Sequence, residues 1–241
     1  MRPVFAAALA ALPLLAACQQ ADDAVFGQRV RAYLLEHPEV LEEAIRKLDE
    51  NRAAQATAAQ TKALAANRQA LERDPRDPVI GNPDGAVTVV EFFDYRCGYC
   101  KAVAPELIDL VQREGDVRLV LKEFPILPDA GTGRIGVSER AARLALAAEA
   151  AGKYLPVHRA LMAERALDDE AIARIARAHG LDPAPAAPGV DAHLAAVQQL
   201  AQEVGATGTP HFIVGGRTIS GADLDGLRAA IAAARSKPAK T

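Results

Sequence analysis

The chain has 241 residues, of which 50% are hydrophobic and 24% charged, which excludes a disordered chain and a membrane protein with many spans. Its 28 lysine and arginine residues against 31 aspartate and glutamate residues give a net charge of −3. No basic stripe follows the sequence, so nucleic acid is not an expected partner. Three cysteines are too few for a disulfide scaffold, and their odd number requires different roles.

The N-terminus has the pattern of a bacterial export signal. Arg2 precedes an uncharged run over residues 4–17, which is too short to span a bilayer. The run ends in the letters LAAC, which resemble the lipobox of bacterial lipoproteins and make Cys18 the predicted site of lipidation. An ordinary signal peptide cut just before this cysteine is the alternative. Both interpretations predict a signal peptide over residues 1–17 and a periplasmic protein, which the lipid would hold at a membrane.

Residues 18–78 are predicted to form a helical arm and a linker. Apolar residues recur at helical spacing from Phe26 to Leu34, and Pro38 is expected to end this helix and begin another. Leucines stand seven apart from Leu34 onward, but the later positions of this register are polar. The arm therefore either joins copies of the chain or forms a solvated stalk.

Residues 79–241 predict an α/β domain with a helical insertion at about residues 134–182. After a turn at residues 81–85, the nearly continuous apolar run from Val87 to Phe93 is typical of a strand buried on both faces. The further elements, in chain order, are a helix after residue 97, a strand over 116–124, alanine-rich helices over 138–179, a helix ending at residue 204, strands from residue 211, and a last helix over 222–235.

The sequence Cys97-Gly98-Tyr99-Cys100 lies where the first buried strand leads into a helix. Unpaired N–H groups and the positive end of the helix dipole lower the pKa of a thiol at this place. Cys100 follows about one helical turn later, close enough to form a disulfide. We therefore predict that Cys97 attacks a substrate disulfide and that Cys100 resolves the product. The alternatives are a structural bridge and half of a zinc site, but zinc takes four ligands and the chain has no second cysteine pair, so no metal or cofactor is predicted.

These features together resemble the thioredoxin-fold thiol-disulfide oxidoreductases, specifically the DsbA-like branch with a helical insertion. The resemblance rests on the letters EFFDY before the cysteine pair, the pair itself, the helical block, and the letters GTP at residues 208–210. It implies an α/β thioredoxin fold with an N-terminal helical arm. It also implies disulfide exchange with protein substrates and a membrane partner that resets the thiols.

The resemblance also assigns roles to individual residues. It implies that Pro210 follows a cis peptide bond and that Thr209 pairs with a substrate segment, whereas a trans proline at the start of an edge strand is the alternative. Gly98 and Tyr99, between the cysteines, are expected to contact substrate as well. Glu91 corresponds to a buried acid that accepts the proton of the resolving cysteine, and a partly exposed strand glutamate is the alternative.

The arm and the domain together resemble the suppressor-of-copper-sensitivity C subgroup, whose N-terminal helices form a trimer and whose members are disulfide isomerases. The residues between the cysteines lack the histidine of the strong oxidants, and Thr209 is typical of isomerases in this family. We therefore expect an isomerase or reductase rather than a strong oxidase, and a homotrimer. A copper-binding module that uses the two thiolates is the alternative, and a lipoprotein spacer with an inert disulfide is a third interpretation.

Overall fold

The computed structural model describes residues 25–129, 131, 136–184 and 188–236, and the chain divides into two compact units, Met1–Ala58 and Ala59–Thr241. The predicted signal peptide over residues 1–17 and the predicted lipidation site Cys18 lie outside the described residues. None of the helices in the described ranges combines the length and the apolar composition that crossing a membrane requires.

The described part of the first unit is helical on both sides of the predicted break. Helix α1 covers residues 25–36, and α2 runs over Glu39–Ala66, continuing into the second unit. Large apolar side chains of this unit remain in solvent, among them Phe26, which is 67% exposed, and Ile45, which is 59% exposed.

A mixed five-stranded sheet forms the centre of the second unit. Its strands are β1 (Val79–Gly81), β2 (Val87–Phe93), β3 (Val117–Glu123), β4 (His211–Val214) and β5 (Arg217–Ser220), in the order β1-β3-β2-β4-β5. Strands β2 and β3 are parallel, and the other pairs are antiparallel. The three-residue strand β1 was not among the predicted strands, because it is too short to show an alternating pattern and runs directly into the predicted turn.

Helices cover both faces of the sheet. They are α3 (Arg68–Glu72), α4 (Gly98–Glu114), α5 (Gly136–Ala150), α6 (Tyr154–Ala163), α7 (Asp169–Ala178), α8 (Val190–Val204) and α9 (Leu224–Arg235). The main core joins α4, α9 and the inserted helices α5 to α7 to one face, and a second core joins α3 and α8 to the other. The predicted order of strands and helices around a helical insertion is confirmed.

The linker packs on the sheet domain. Leu64 and Leu71, seven residues apart, are buried in the second core beside Val90 and Phe92 of β2. These leucines cover the sheet, and the second compact unit begins at Ala59.

A buried ion pair fixes the end of the linker. The carboxylate of Asp77 binds the Lys122 ammonium group of β3, which also donates to the carbonyl oxygen of Ala70 at 2.6 Å. His193 Nε2 of α8 lies 3.2 Å from Asp77 Oδ1. The side chains of all three charged or titratable residues are almost fully buried, so this cluster joins linker, sheet and α8 on the face opposite α4.

Candidate active site

The two cysteines occupy the first turn of α4, in their reduced state. Cys97 is the N-cap residue, and its Sγ accepts a hydrogen bond from the backbone N–H of Cys100 at 3.4 Å. The same sulfur lies 3.2 Å from the carbonyl oxygen of Thr209, to which the thiol can donate. Cys97 is 7% exposed and Cys100 is fully buried. A substrate disulfide therefore meets Cys97 before it can meet Cys100.

The surroundings give the two thiols opposite acidities. The hydrogen bond with the Cys100 side chain is the largest of the effects that lower the pKa of Cys97 to about 5. Burial opposes this shift, while the side chain of Thr209 and the backbone N–H groups of Cys100 and Tyr99 strengthen it. The same bond to Cys97, together with burial, raises the pKa of Cys100 far above its usual range. At neutral pH Cys97 is the thiolate and Cys100 keeps its proton.

Alkylation of the reduced protein by iodoacetamide should therefore depend on pH with a midpoint near 5, against 9.0 for an unperturbed cysteine. Only the thiolate reacts, so the rate at Cys97 follows its ionisation. Peptide mass spectrometry after timed reaction from about pH 4 to about pH 9 measures this rate. The Cys97→Ser variant is the control, because any alkylation that remains in it comes from another thiol. A midpoint near that of free cysteine would contradict the ionised nucleophile.

Glu91 lies beneath the cysteine pair in the interior of β2. Side chains alternate along a strand, so Glu91 shares a face with Val89 and Phe93, which belong to the same core cluster as Cys100. Glu91 is 2% exposed, and its Oε1 has no hydrogen-bond partner in the described part of the chain. Burial, followed by the negative charge of Cys97, raises the pKa of Glu91 to about 8. The alternative of a partly exposed strand residue is thus wrong, because Glu91 is a desolvated acid.

The segment around Pro210 closes the other side of Cys97. The peptide bond between Thr209 and Pro210 is cis, and Pro210 is buried while Thr209 is half-buried. The carbonyl oxygen of Pro210 accepts a hydrogen bond from the N–H of Gly221 at 2.9 Å, which ties this segment to the end of β5. The structure therefore places the predicted substrate-binding residue Thr209 in direct contact with the predicted nucleophile.

Gly98 and Tyr99 form the outer rim of the site. Tyr99 is 70% exposed, and a Cβ atom built on Gly98 would meet nothing within 4 Å. The surface over the cysteine pair is therefore open, and an aromatic side chain stands beside it.

Asp94, a buried carboxylate three residues before Cys97, is not among the site residues predicted from the sequence. It accepts hydrogen bonds from the N–H groups of Arg96 at 2.7 Å, Ile126 at 2.8 Å and Leu127 at 3.0 Å, and from Ser138 Oγ at 2.8 Å. Asp94 therefore joins the segment before the cysteines to the segment after β3 and to the first turn of α5. The signal in the sequence that could have identified Asp94 is its position, as an acidic residue directly after the nearly apolar run that forms β2.

Two cationic side chains beside the cysteine motif, Arg96 and Lys101, were also not among the predicted site residues. Arg96 Nη1 donates to the carbonyl oxygen of Pro128 at 3.0 Å and to Asp129 Oδ1 at 2.9 Å. Lys101 Nζ donates to the carbonyl oxygen of Glu164, just past the end of α6, where a cation also stabilises the helix dipole. Arg96 thus attaches the cysteine-bearing segment to the residues that precede the insertion, and Lys101 attaches it to the end of α6 within the insertion.

Comparison with known proteins covers both parts of the chain. Residues 88–232 match the family described as DSBA-like thioredoxin domain, and residues 22–55 match the one described as copper resistance protein ScsC N-terminal domain. The chain is 30% identical over 156 residues to the thiol:disulfide interchange protein DsbA of Bordetella pertussis, which is 62% of this chain and 73% of that protein.

A second curated relative is much longer. The Na(+)/H(+) antiporter NhaA 3 of Salinispora tropica is 32% identical over 181 residues, which is 68% of this chain but only 26% of the antiporter. Among solved structures, a linker-deletion mutant of ScsC from Proteus mirabilis matches with a TM-score of 0.68 and 28% identity, covering 97% of this chain and 100% of that one. These similarities confirm the predicted α/β thioredoxin-like fold with N-terminal helices.

Proposed function

Because the chain belongs to the DSBA-like thioredoxin domain family and is a thiol-disulfide oxidoreductase, we propose that it rearranges or reduces disulfides of protein substrates in the periplasm. The observation that carries this proposal is the pair of free thiols at the start of α4. Cys97 has a pKa lowered to about 5 and stands against the carbonyl oxygen of Thr209, while the protonated Cys100 is buried behind it.

In the first step the Cys97 thiolate attacks one sulfur of the substrate disulfide. A bond from Cys97 to that sulfur forms, the substrate S–S bond breaks, and the other substrate sulfur leaves as a thiolate. For reduction, Cys100 gives its proton to Glu91 and attacks the Cys97 sulfur. The Cys97–Cys100 bond forms, the bond from Cys97 to the substrate sulfur breaks, and that sulfur leaves as a second thiolate, so the substrate gains two electrons. For isomerisation, a second substrate thiolate attacks the mixed disulfide first, and the protein departs reduced.

The acidity of Cys97 favours a couple less oxidising than DsbA. A stabilised thiolate favours the reduced protein, and reference nucleophiles run from a pKa of about 3.5 in DsbA to about 7 in thioredoxin. Their reduction potentials are about −120 mV and about −270 mV. The pKa of about 5 at Cys97 lies between the two, so we place its potential between theirs as well.

Titration of the Cys97–Cys100 couple against glutathione should give a potential inside this interval, and the reduced protein should rescue scrambled ribonuclease. The Cys100→Ala variant separates the two activities, since isomerisation needs Cys97 alone while net reduction needs both thiols. An isomerase keeps the rescue activity in this variant, and a reductase loses its turnover. A potential at or above that of DsbA, without rescue, would identify a strong oxidase instead.

We assign substrate contact to Thr209, Pro210, Gly98 and Tyr99. The open space at Gly98 and the exposed Tyr99 ring support an approach of the substrate over the cysteine pair. An extended segment would add its backbone to that of Thr209, beside which the reactive sulfur lies. A peptide trapped as a mixed disulfide on the Cys100→Ser variant would show these contacts or their absence.

Anchoring through a lipid on Cys18 is part of the same proposal, and a membrane redox partner would reset the thiols. The letters LAAC after an uncharged run support the lipid. Labelling of growing cells with a fatty acid should mark the protein and leave the Cys18→Ser variant unmarked.

Assembly as a homotrimer through the arm is supported by the exposed apolar side chains of α1 and of the first half of α2. The match of residues 22–55 to the ScsC N-terminal domain agrees with this role of the arm. The mass of the mature protein in solution, compared with that of a chain lacking the arm, decides between a trimer and a monomer on a stalk.

Copper binding is the second candidate, favoured by the family description that residues 22–55 match and by the two free thiols. Thiolates suit Cu(I), although the described residues hold no group of three or more histidine, cysteine, aspartate or glutamate side chains suited to a metal. Tight 1:1 binding of Cu(I) together with negligible thiol exchange would favour this candidate over the oxidoreductase.

A further inference from the structure

His211, the first residue of β4, follows Pro210 directly and has no part in the proposed reaction. Its side chain is 4% exposed, and its Nδ1 lies 3.2 Å from Ser220 Oγ of β5. The other ring nitrogen, Nε2, has no hydrogen-bond partner among the described residues. Burying an unpaired nitrogen is unfavourable, so an apolar side chain would fill this place more favourably. The contact with Ser220 is the interaction that distinguishes His211 from an apolar residue here.

The contact lies on the face of the sheet away from the cysteines. His211 stands directly opposite Phe92 of β2 and Ser220 of β5, and the centre of its ring is 6.4 Å from that of Phe92. Phe92 belongs to the second core, whereas Cys97 and Cys100 belong to the main core. Any effect of His211 on the reacting sulfurs must therefore pass through the backbone.

The backbone connects His211 closely to Thr209. Peptide groups are planar and the proline ring fixes φ, so the ψ bond of Pro210 is the free rotation between the Thr209 carbonyl group and the peptide group that joins Pro210 to His211. The carbonyl oxygen of that peptide group accepts a hydrogen bond at 2.9 Å from the N–H of Gly221, the residue after Ser220. The backbone bond at Gly221 and the side-chain contact at Ser220 therefore hold both ends of this peptide group from β5.

Thr209 is the residue at which this support affects the chemistry. Its carbonyl oxygen lies 3.2 Å from Cys97 Sγ, and its side chain is one of the groups that lower the pKa of that thiol. Hydrogen bonds to the sulfur and the pairing of an added strand both depend on the place and direction of the Thr209 atoms. If Thr209 could shift, it would interact less well with Cys97 and with the backbone of a substrate.

We propose that His211 is a positioning residue for thiol-disulfide exchange, which together with Ser220 holds Thr209 beside Cys97 and in reach of the backbone of a protein substrate. In either tautomer of the neutral ring, Nδ1 and the Ser220 hydroxyl group can form one hydrogen bond. The ring is neutral at pH 7, since burial lowers the pKa of His211. The inference rests in part on the proposed pairing of Thr209 with substrate.

Variants of the full-length protein test the contact from both of its ends. Ser220→Ala removes the hydroxyl group at an exposed position, where folding does not depend on it. His211→Asn keeps a hydrogen-bonding group near the place of Nδ1, whereas His211→Gln puts its amide group near the place of Nε2, where the histidine has no partner. Thr218→Ala is the matched control, because it removes a hydroxyl group from the same face of β5, two residues before Ser220.

The reduction of insulin measures the pairing with a protein substrate. Ser220→Ala and His211→Gln should raise the KM for insulin about fivefold, the effect of losing one hydrogen bond, and leave kcat nearly unchanged. His211→Asn and Thr218→Ala should keep the wild-type KM. Hydroxyethyl disulfide, which has no peptide backbone, should react with every variant at close to the wild-type rate.

Alkylation by iodoacetamide follows the Cys97 thiol without any substrate. Its midpoint should rise by about half a pH unit in Ser220→Ala and His211→Gln, because a displaced Thr209 lowers the pKa of Cys97 less. A residue with a purely structural role would make the protein easier to unfold in urea and would not move this midpoint.

The two measurements separate this inference from the proposed function. If the folded Ser220→Ala protein keeps both the wild-type KM for insulin and the wild-type alkylation midpoint, His211 does not position Thr209 and the inference is overturned. Equal changes in Thr218→Ala would overturn it as well, since the effect would not be specific to the contact. If the midpoint rises while the KM for insulin stays the same, His211 does position Thr209, and the pairing of Thr209 with substrate fails instead.

Discussion

Replacement of Cys97 by serine should lower the catalysed exchange of protein disulfides on the order of a thousandfold or more. The residue at this position is the less deeply buried member of the pair and the one whose pKa is lowered, to about 5. A serine hydroxyl group stays protonated there and cannot form a mixed disulfide. The initial rate of insulin reduction by glutathione in the presence of each variant measures the loss.

The Cys100→Ser variant is the matched comparison, since it removes the buried sulfur and keeps the attacking one. It should still react with a substrate disulfide and should accumulate as a mixed disulfide at Cys97, visible as an added mass. Cys97→Ser should form no such species at Cys100, which is fully buried and keeps its proton. Retention of a tenth or more of the rate by Cys97→Ser would assign the attack to another group.

Replacement of Glu91 by glutamine should make the reduced protein more stable at neutral and alkaline pH. Burial raises the pKa of Glu91 from 4.5 to about 8, so the folded protein holds a proton that the unfolded chain has already released. The wild type therefore loses stability relative to the variant as the pH rises from 4.5 towards 8, and the two are equal below that range. We expect a difference of about 4 kcal/mol at pH 7.5.

Urea unfolding of both reduced proteins, at about pH 4 and again at about pH 7.5, measures this difference. The same variant should slow the attack of Cys100 about a hundredfold and leave the attack of Cys97 nearly unchanged, because only the second step transfers a proton to Glu91. A variant that is less stable than the wild type at pH 7.5, or a stability gap that widens towards acid, would show that Glu91 is ionised in the folded protein.

The local features of the site were accessible from the sequence. The buried strand from Val87 to Phe93 and the spacing of Cys97 and Cys100 lie within fourteen consecutive residues, and the helix that follows continues to Glu114. Strand β4 was predicted from His211 onward, and the structure has it over His211–Val214. Short-range periodicity and turn residues suffice for such elements because the apolar pattern and the residues that end each element lie within the segment itself.

The polar contacts around the site could not be predicted in the same way. Tyr95 meets Glu123 across 28 residues and His158 across 63, and Asp94 meets Ser138 across 44. These pairs depend on how the inserted helices pack on the sheet, which no local pattern contains. Leu71 likewise belongs to the predicted arm by its position in the sequence. Its burial in the second core depends on contacts with the sheet that no local pattern contains.

After the larger effect of burial, the negative charge of the Cys97 thiolate also raises the pKa of Glu91, so the acidity of Glu91 depends on whether Cys97 is free or bonded. While the outer sulfur is a free thiolate, its charge helps to keep the buried acid neutral. Once that sulfur is bonded to a substrate its charge disappears and the pKa of Glu91 falls, so in the proposed mechanism Glu91 accepts the Cys100 proton more readily while the mixed disulfide exists. In this mechanism Glu91 therefore keeps its proton while Cys97 is free. Formation of the mixed disulfide is the event that prepares the attack of Cys100, which in turn releases the substrate.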